Sequence, residues 1–166
     1  QIDKKLDKIE YLITKNKDDI NLKSNLNLEN IIVKKQKLLN NFFPNIGNSI
    51  KFKDQTLEVN YKKNILSLSG KGKVKIDKEY DSINYIISKN DNKLEYNVGL
   101  NLNQTKFEIT QLNYQKRNNS SLQLKIIGNF GKDKDINLKK LSIIQKNNKI
   151  EIDNLLLGND YAIKKI

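Results

Sequence analysis

The stretch KLEYNVGLNL at 93–102 puts Leu94, Tyr96, Val98, Leu100 and Leu102 on one side of an extended chain, with Glu95, Asn97, Gly99 and Asn101 on the other. A period of two is the signature of a β-strand with one apolar and one wet face. The same alternation recurs in Leu57, Val59 and Tyr61 of QTLEVNY, Leu66 and Leu68 of ILSLSG, Val74 and Ile76 of KVKI, and Ile83, Tyr85 and Ile87 of SINYIIS. KFEITQLNYQ, SLQLKIIGNFG, INLKKLSIIQ and KIEIDNLLLG continue it. The links between them are short and rich in Asn, Lys, Asp and Gly (SKNDNK, KRNNS, GKDKD, KNNK), which suits antiparallel strands joined in succession. Each apolar side chain withdrawn from water is worth about 1.5–3 kcal/mol, so so large an apolar face demands a cover.

Four segments interrupt the alternation in the same way. LNLENIIV (26–33), FEITQLNY (107–114), INLKKLSI (136–143) and IEIDNLLL (150–157) carry apolar residues at their first, third, sixth and eighth positions. A regular strand would turn its second half inside out, whereas one extra residue in a bulge keeps the face apolar and bends the strand. Bulges are therefore expected at Glu29–Asn30, Thr110–Gln111, Lys139–Lys140 and Asp153–Asn154. A two-residue hairpin is the rival, but Thr-Gln, Lys-Lys and Glu-Asn are poor primed-turn pairs. SGKGKVK at 69–75 does not satisfy the phosphate-loop pattern, and its glycines mark a bulge or bend.

The N-terminal part also leans to strand, through Ile9, Tyr11 and Ile13 and then Ile20, Leu22, Leu26 and Leu28. In KKQKLLNNFFP, Leu38 with Phe42 and Leu39 with Phe43 have helical spacing, which predicts one short helix near 34–43 halted by Pro44. NIGNSIKFKDQ then reads as a loop. The chain is thus expected to be a single section, 1–166, of a longer repetitive β-domain, with 1–53 less regular and 54–166 continuous antiparallel strands.

Composition removes several kinds of chemistry. The chain has no His and no Cys, which takes away the usual general base, thiol nucleophile and soft metal ligands. No catalytic residue, metal or cofactor is assigned, and the chain does not read as an enzyme. Asp77, Glu79 and Asp81 in IDKEYDS have a spacing faintly like a calcium loop. They lack its central Gly and distant bidentate Glu and read as a solvated turn. A net charge of +12 invites nucleic acid, but Arg117 is the single arginine among 31 basic residues and the lysines are scattered. Nucleic acid is therefore not expected as a partner. No run approaches the ~20 apolar residues of a membrane span.

About eight strands from residue 54 onward, spaced by ~4.8 Å, would stack to nearly 40 Å. Curled, they would enclose an apolar concavity far larger than soluble proteins leave bare, and acyl chains are a physically sensible filler. The FFP stop at 42–44, the strand LSLSGKGKVKI at 66–76 and the segment FEITQLNYQK at 107–116 resemble the strand-rich repeats of the AsmA-like family of Gram-negative bacteria, in its YhdP branch. The resemblance covers about 26–166. It implies a periplasmic groove in an inner-membrane-anchored protein, with the anchor outside this stretch, that conducts phospholipid between the two membranes without enzymatic chemistry.

The expected fold is all-β: a curled antiparallel sheet of consecutive, partly kinked strands forming a U-shaped groove open to solvent. Its lipid lining is expected from Leu57, Val59, Leu66, Leu68, Ile83, Tyr85, Leu94, Tyr96, Val98, Leu100, Phe107, Ile109, Leu122, Leu124, Ile126, Ile136, Leu138, Ile150 and Ile152. The expected partners are phospholipid acyl chains, with headgroups in water near the lysines. The alternatives are a closed β-sandwich or barrel with an adhesive or structural role, and a basic nucleic-acid-binding module.

Overall fold

The computed structural model describes residues 7–16, 19–90, 93–110, 113–117, 120–130, 136–158 and 163–165. Its strands are β1 (Lys8–Asn16), β2 (Asp19–Lys34), β3 (Ser49–Lys62), β4 (Ile65–Lys75), β5 (Tyr80–Lys89), β6 (Leu94–Leu102), β7 (Glu108–Ile109), β8 (Tyr114–Gln115), β9 (Leu122–Phe130), β10 (Ile136–Gln145), β11 (Asn148–Leu157) and β12 (Ile163–Lys165). Ten of them form one antiparallel sheet in the order β1-β2-β3-β4-β5-β6-β9-β10-β11-β12, and β7–β8 is a separate hairpin inserted between β6 and β9. The sheet curls but stays open, with β1 and β12 at its edges. The sandwich and barrel architectures are thereby removed.

Cross-strand register carries the alternation of the sequence through the sheet. Tyr96, Val98, Leu100 and Leu102 of β6 face Gly128, Ile126, Leu124 and Leu122 of β9. On the other side, Ile87, Tyr85 and Ile83 of β5 face Tyr96, Val98 and Leu100. Partners across a ladder point to the same face, so one apolar face runs from strand to strand. Tight links hold this register. At β3–β4, Lys63 and Asn64 have φ of 48° and 61°, as a type I′ hairpin requires.

Three of the four interrupted segments are kinked strands. In β10, Leu138 pairs with Gly128 but Lys140 with Ile127, so Lys139 is the extra residue and Leu138 and Leu141 face the same way. Its neighbour in β11 is Asn154, whose φ of 59° gives the companion kink. In β2, Glu29 lies where β3 makes a bulge between Lys53 and Thr56, with Asp54 at φ 52°. The fourth segment is different. Glu108–Ile109 and Tyr114–Gln115 are the two arms of a hairpin, and Asn113 donates its N–H to the Thr110 carbonyl across the turn at 3.0 Å. Gln111 itself lies outside the described residues. The hairpin reading prevails there because a four-residue turn also returns apolar residues at this spacing, and Asn113 readily takes φ 47°.

Three further expectations change. The segment NIGNSIKFKDQ, expected as a loop, belongs to β3 from Ser49 onward, and β1–β2 before it form a regular nine-pair ladder. The short helix is a single 3₁₀ turn over Lys37–Asn41, too short to propagate as α-helix before Pro44. Asp81 is no part of a solvated turn: it sits in β5 on the apolar face, 2% exposed.

Candidate functional site

The connection β2–β3 and the insertion β6–β9 fold over one end of the apolar face. Phe43 and Ile46 from the first, and Phe107 and Ile109 from the second, join a core with Val74, Leu100, Leu102, Leu122, Leu124, Leu141 and Ile143. The Phe42 and Phe107 rings stack with centroids 6.3 Å apart, and Phe43 tilts against Phe107 at 5.5 Å. Glu108 donates its backbone N–H to the Phe42 carbonyl at 3.0 Å, sewing the two connections together. Beneath this aromatic plug Leu102 and Leu122 are 0% exposed, so that end of the trough is sealed.

A buried polar cluster fastens the plug. Asp81 accepts from the Asn103 backbone N–H at 2.6 Å and from the Thr105 hydroxyl. Lys116 donates its Nζ to the Asn103 carbonyl at 2.8 Å and closes the β7–β8 hairpin through its N–H to Phe107. Burial pulls the Lys116 ammonium below its ordinary pKa, and the Asp81 carboxylate opposes that shift. A buried carboxylate with two donors and a cation beside it is a satisfied structural group. Among the described residues no three His, Cys, Asp or Glu come together as a metal cluster.

Below the plug the face is not filled. An apolar cavity of about 290 Å³ lies between Leu39, Phe42, Phe43, Phe107 and Ile109 on the plug and Tyr96, Val98, Leu100, Leu124, Ile126, Phe130, Ile136, Leu138, Leu141 and Leu157 on the sheet. No polar atom is exposed on its wall. It runs away from the plug to the row Phe130–Ile136–Leu157, where Phe130 is 38% exposed.

Of the residues expected to line a groove, Tyr96, Val98, Leu100, Phe107, Ile109, Leu124, Ile126, Ile136 and Leu138 meet around this cavity. Phe107 and Ile109 do so from the plug, not from the sheet wall. Leu122 is sealed beneath the plug, and Ile83, Ile150 and Ile152 pack against the same core. Leu57, Val59, Leu66, Leu68, Tyr85 and Leu94 continue the same face towards β3, β4 and the unplugged end. Sequence reasoning missed Leu39, Phe42, Phe43, Phe130, Leu141 and Leu157. Leu141 and Leu157 were within reach, because both follow the bulges already expected in their strands.

Two tyrosines shape the face. Tyr96 lies over Gly128, where an added Cβ would come within 2.5 Å of its hydroxyl oxygen, and burial pushes its phenol up to about 12. Tyr85 crosses Gly70 to reach the Gln55 side-chain oxygen with its hydroxyl at 3.3 Å. The face is also bare in places: on β1, Tyr11 is 72% exposed. The opposite, convex face is mostly polar, with Leu12, Ile32 and Ile86 exposed among its polar side chains. Several of its lysines flank acids, as Lys93 and Lys139 do Glu95 and Lys140 and Lys149 do Glu151, whereas Lys51 faces Lys75 and Lys53 faces Lys73 across β3–β4.

These features define a class: an open, curled antiparallel trough holding a carbon-walled cavity that is closed at one end. No family model, curated protein or solved structure matches the chain.

Proposed function

We propose that this chain is a section of a lipid-carrying β-trough of the AsmA-like kind, which holds phospholipid acyl chains on its apolar face without chemical change. The observation that carries this reading is the cavity beneath the plug, whose wall is carbon throughout. Water gains no hydrogen bond there, and a hydrocarbon chain loses nothing by entering. The AsmA-like setting would place the section between the inner and outer membranes of a Gram-negative cell, held by an anchor elsewhere in the protein.

Val98→Asp provides the test. Val98 borders open cavity as well as protein, so water can reach the carboxylate in the empty trough and the sheet keeps its fold. A hydrocarbon chain entering beside that charge would strand it. Wild type and variant are purified, melted by circular dichroism, and extracted for phospholipid by mass spectrometry. The expected result is lipid on the wild type and a folded variant without it. A wild type free of lipid would sink the proposal.

A further inference from the structure

The plug makes the cavity beneath it a blind one. Leu102 and Leu122 are wholly buried behind Phe43 and Phe107, and the Glu108–Phe42 backbone bond holds the two halves of the plug shut across the curl. A chain that enters the cavity beside Phe130 and runs along β9 therefore meets the underside of Leu39 and Phe42. The β9 residues that line the cavity run from Leu124 beside the plug to Phe130 at the mouth, roughly 20 Å of strand at about 3.4 Å per residue. Its 290 Å³ lies at the bottom of the ~300–1,000 Å³ range of small-molecule sites. A volume that small accepts one hydrocarbon chain and not a pair side by side.

We infer that this section binds a single unbranched acyl chain tail-first, with the terminal methyl stopped by Phe42 and the headgroup left outside beyond Phe130. The inference rests on the reading that the trough takes acyl chains, and changes what the trough does with them. A chain enters and leaves by the same mouth, and the plug sets how much of it is covered. Phe42 is then a length-determining residue, and Val98, on the opposite wall, controls the bore. Because the wall offers no polar atom, recognition is by length and shape alone.

The experiment is a chain-length series. Saturated n-alkyl carboxylates of about six to about eighteen carbons displace a fluorescent fatty-acid probe from the purified protein, and an affinity is read for each. While the chain is shorter than the cavity, every added methylene should tighten binding about fourfold. Once the methyl end reaches the plug, the gain per methylene should drop, giving a break in the series. Phe42→Ala deepens the cavity and should move the break to longer chains; Val98→Phe fills it and should move the break to shorter ones. Opposite movements cannot both come from weakened folding, and either variant suffices if the other melts. An unbroken rise through the longest chain would overturn the blind-end inference alone, because the chain would then be passing the plug. A break that neither folded variant moves would overturn it too. Binding of no chain at all would overturn both this inference and the acyl-carrying reading beneath it.

Discussion

Tyr85 of β5 lies across Gly70 of β4 so closely that a Cβ on Gly70 would come within 2.5 Å of the tyrosine Cζ and 2.7 Å of Leu57 Cδ2. Gly70 is needed for what it lacks, since its backbone has no positive φ. The ring covers the bare strand and extends the apolar face towards Leu57. Gly70→Ala should destabilise the sheet by about 1–3 kcal/mol through overpacking, measured by urea unfolding. In Gly70→Ala/Tyr85→Leu the clash is relieved, so the two costs should be less than additive.

Asp81 should be the most sensitive polar position. Asp81→Ala leaves the Asn103 N–H and the Thr105 hydroxyl without their acceptor and Lys116 without its nearby carboxylate. Breaking such a buried arrangement costs about 3 kcal/mol or more. The readout is local as well as global: amide exchange over 103–110 and 113–117 should rise before that of β9 and β10.

Asn154 tests the kinks. Its φ of 59° suits Asn or Gly and penalises a β-branched side chain. Asn154→Gly should be close to neutral, whereas Asn154→Val should lower stability by about 1–2 kcal/mol in thermal melts.

Those kinks also mark how far the sequence could be read. In β2, β10 and β11 the bulge sits between apolar pairs, so the shift of parity is visible in the letters. In β3 the same bulge is concealed, because the residue that returns to the inner face is Gln55. It is buried at 1% and spends its amide on the Lys53 and Lys73 carbonyls at 3.0 and 2.9 Å. A buried glutamine satisfied by backbone looks like a loop residue in a sequence. The plug was hidden for another reason. Its two halves, around Phe42 and Phe107, are brought together by the curl of the sheet, and local periodicity carries no record of that approach.

Alkaline pH should expose the burial of Tyr96. Its folded-state pKa, near 12, is above the ordinary 10.0, so the folded chain holds the phenolic proton more tightly than the unfolded chain does. This contribution to stability is complete below pH about 10 and is lost as pH rises from there through about 12. Tyr96→Phe removes the ionisation. The difference in urea midpoint between wild type and Tyr96→Phe should therefore drift against the wild type over that window and stay constant below it.

The lysines predict weak, salt-labile contact with DNA. On the convex face several are paired with carboxylates, as in Lys23–Glu58 at 3.6 Å and Lys140–Glu151 at 2.8 Å, and where Lys53 faces Lys73 across β3–β4 the two are bridged to Glu29 and Asp54. Binding to duplex DNA, followed by fluorescence anisotropy, should vanish by physiological salt. Salt-resistant or sequence-selective binding would contradict this.

The wiring of the sheet bears on the order in which it assembles. Consecutive pairs from β1 to β6, and from β9 to β12, are joined by short links, except β2–β3, whose connection 35–48 carries the 3₁₀ turn and half of the plug. The seam between β6 and β9 must wait for the longest connection, the chain from Asn103 to Ser121, to be gathered in. Loop closure there carries the larger entropy cost, and contacts distant in sequence form more slowly. Two blocks, β1–β6 and β9–β12, should therefore gain protection early and independently in pulsed hydrogen exchange. The amides of Leu100, Leu102, Leu122 and Leu124 at the seam, with those of the β7–β8 hairpin, should follow as one later phase. The aromatic stopper that defines the depth of the trough would then also be the last part of the molecule to set.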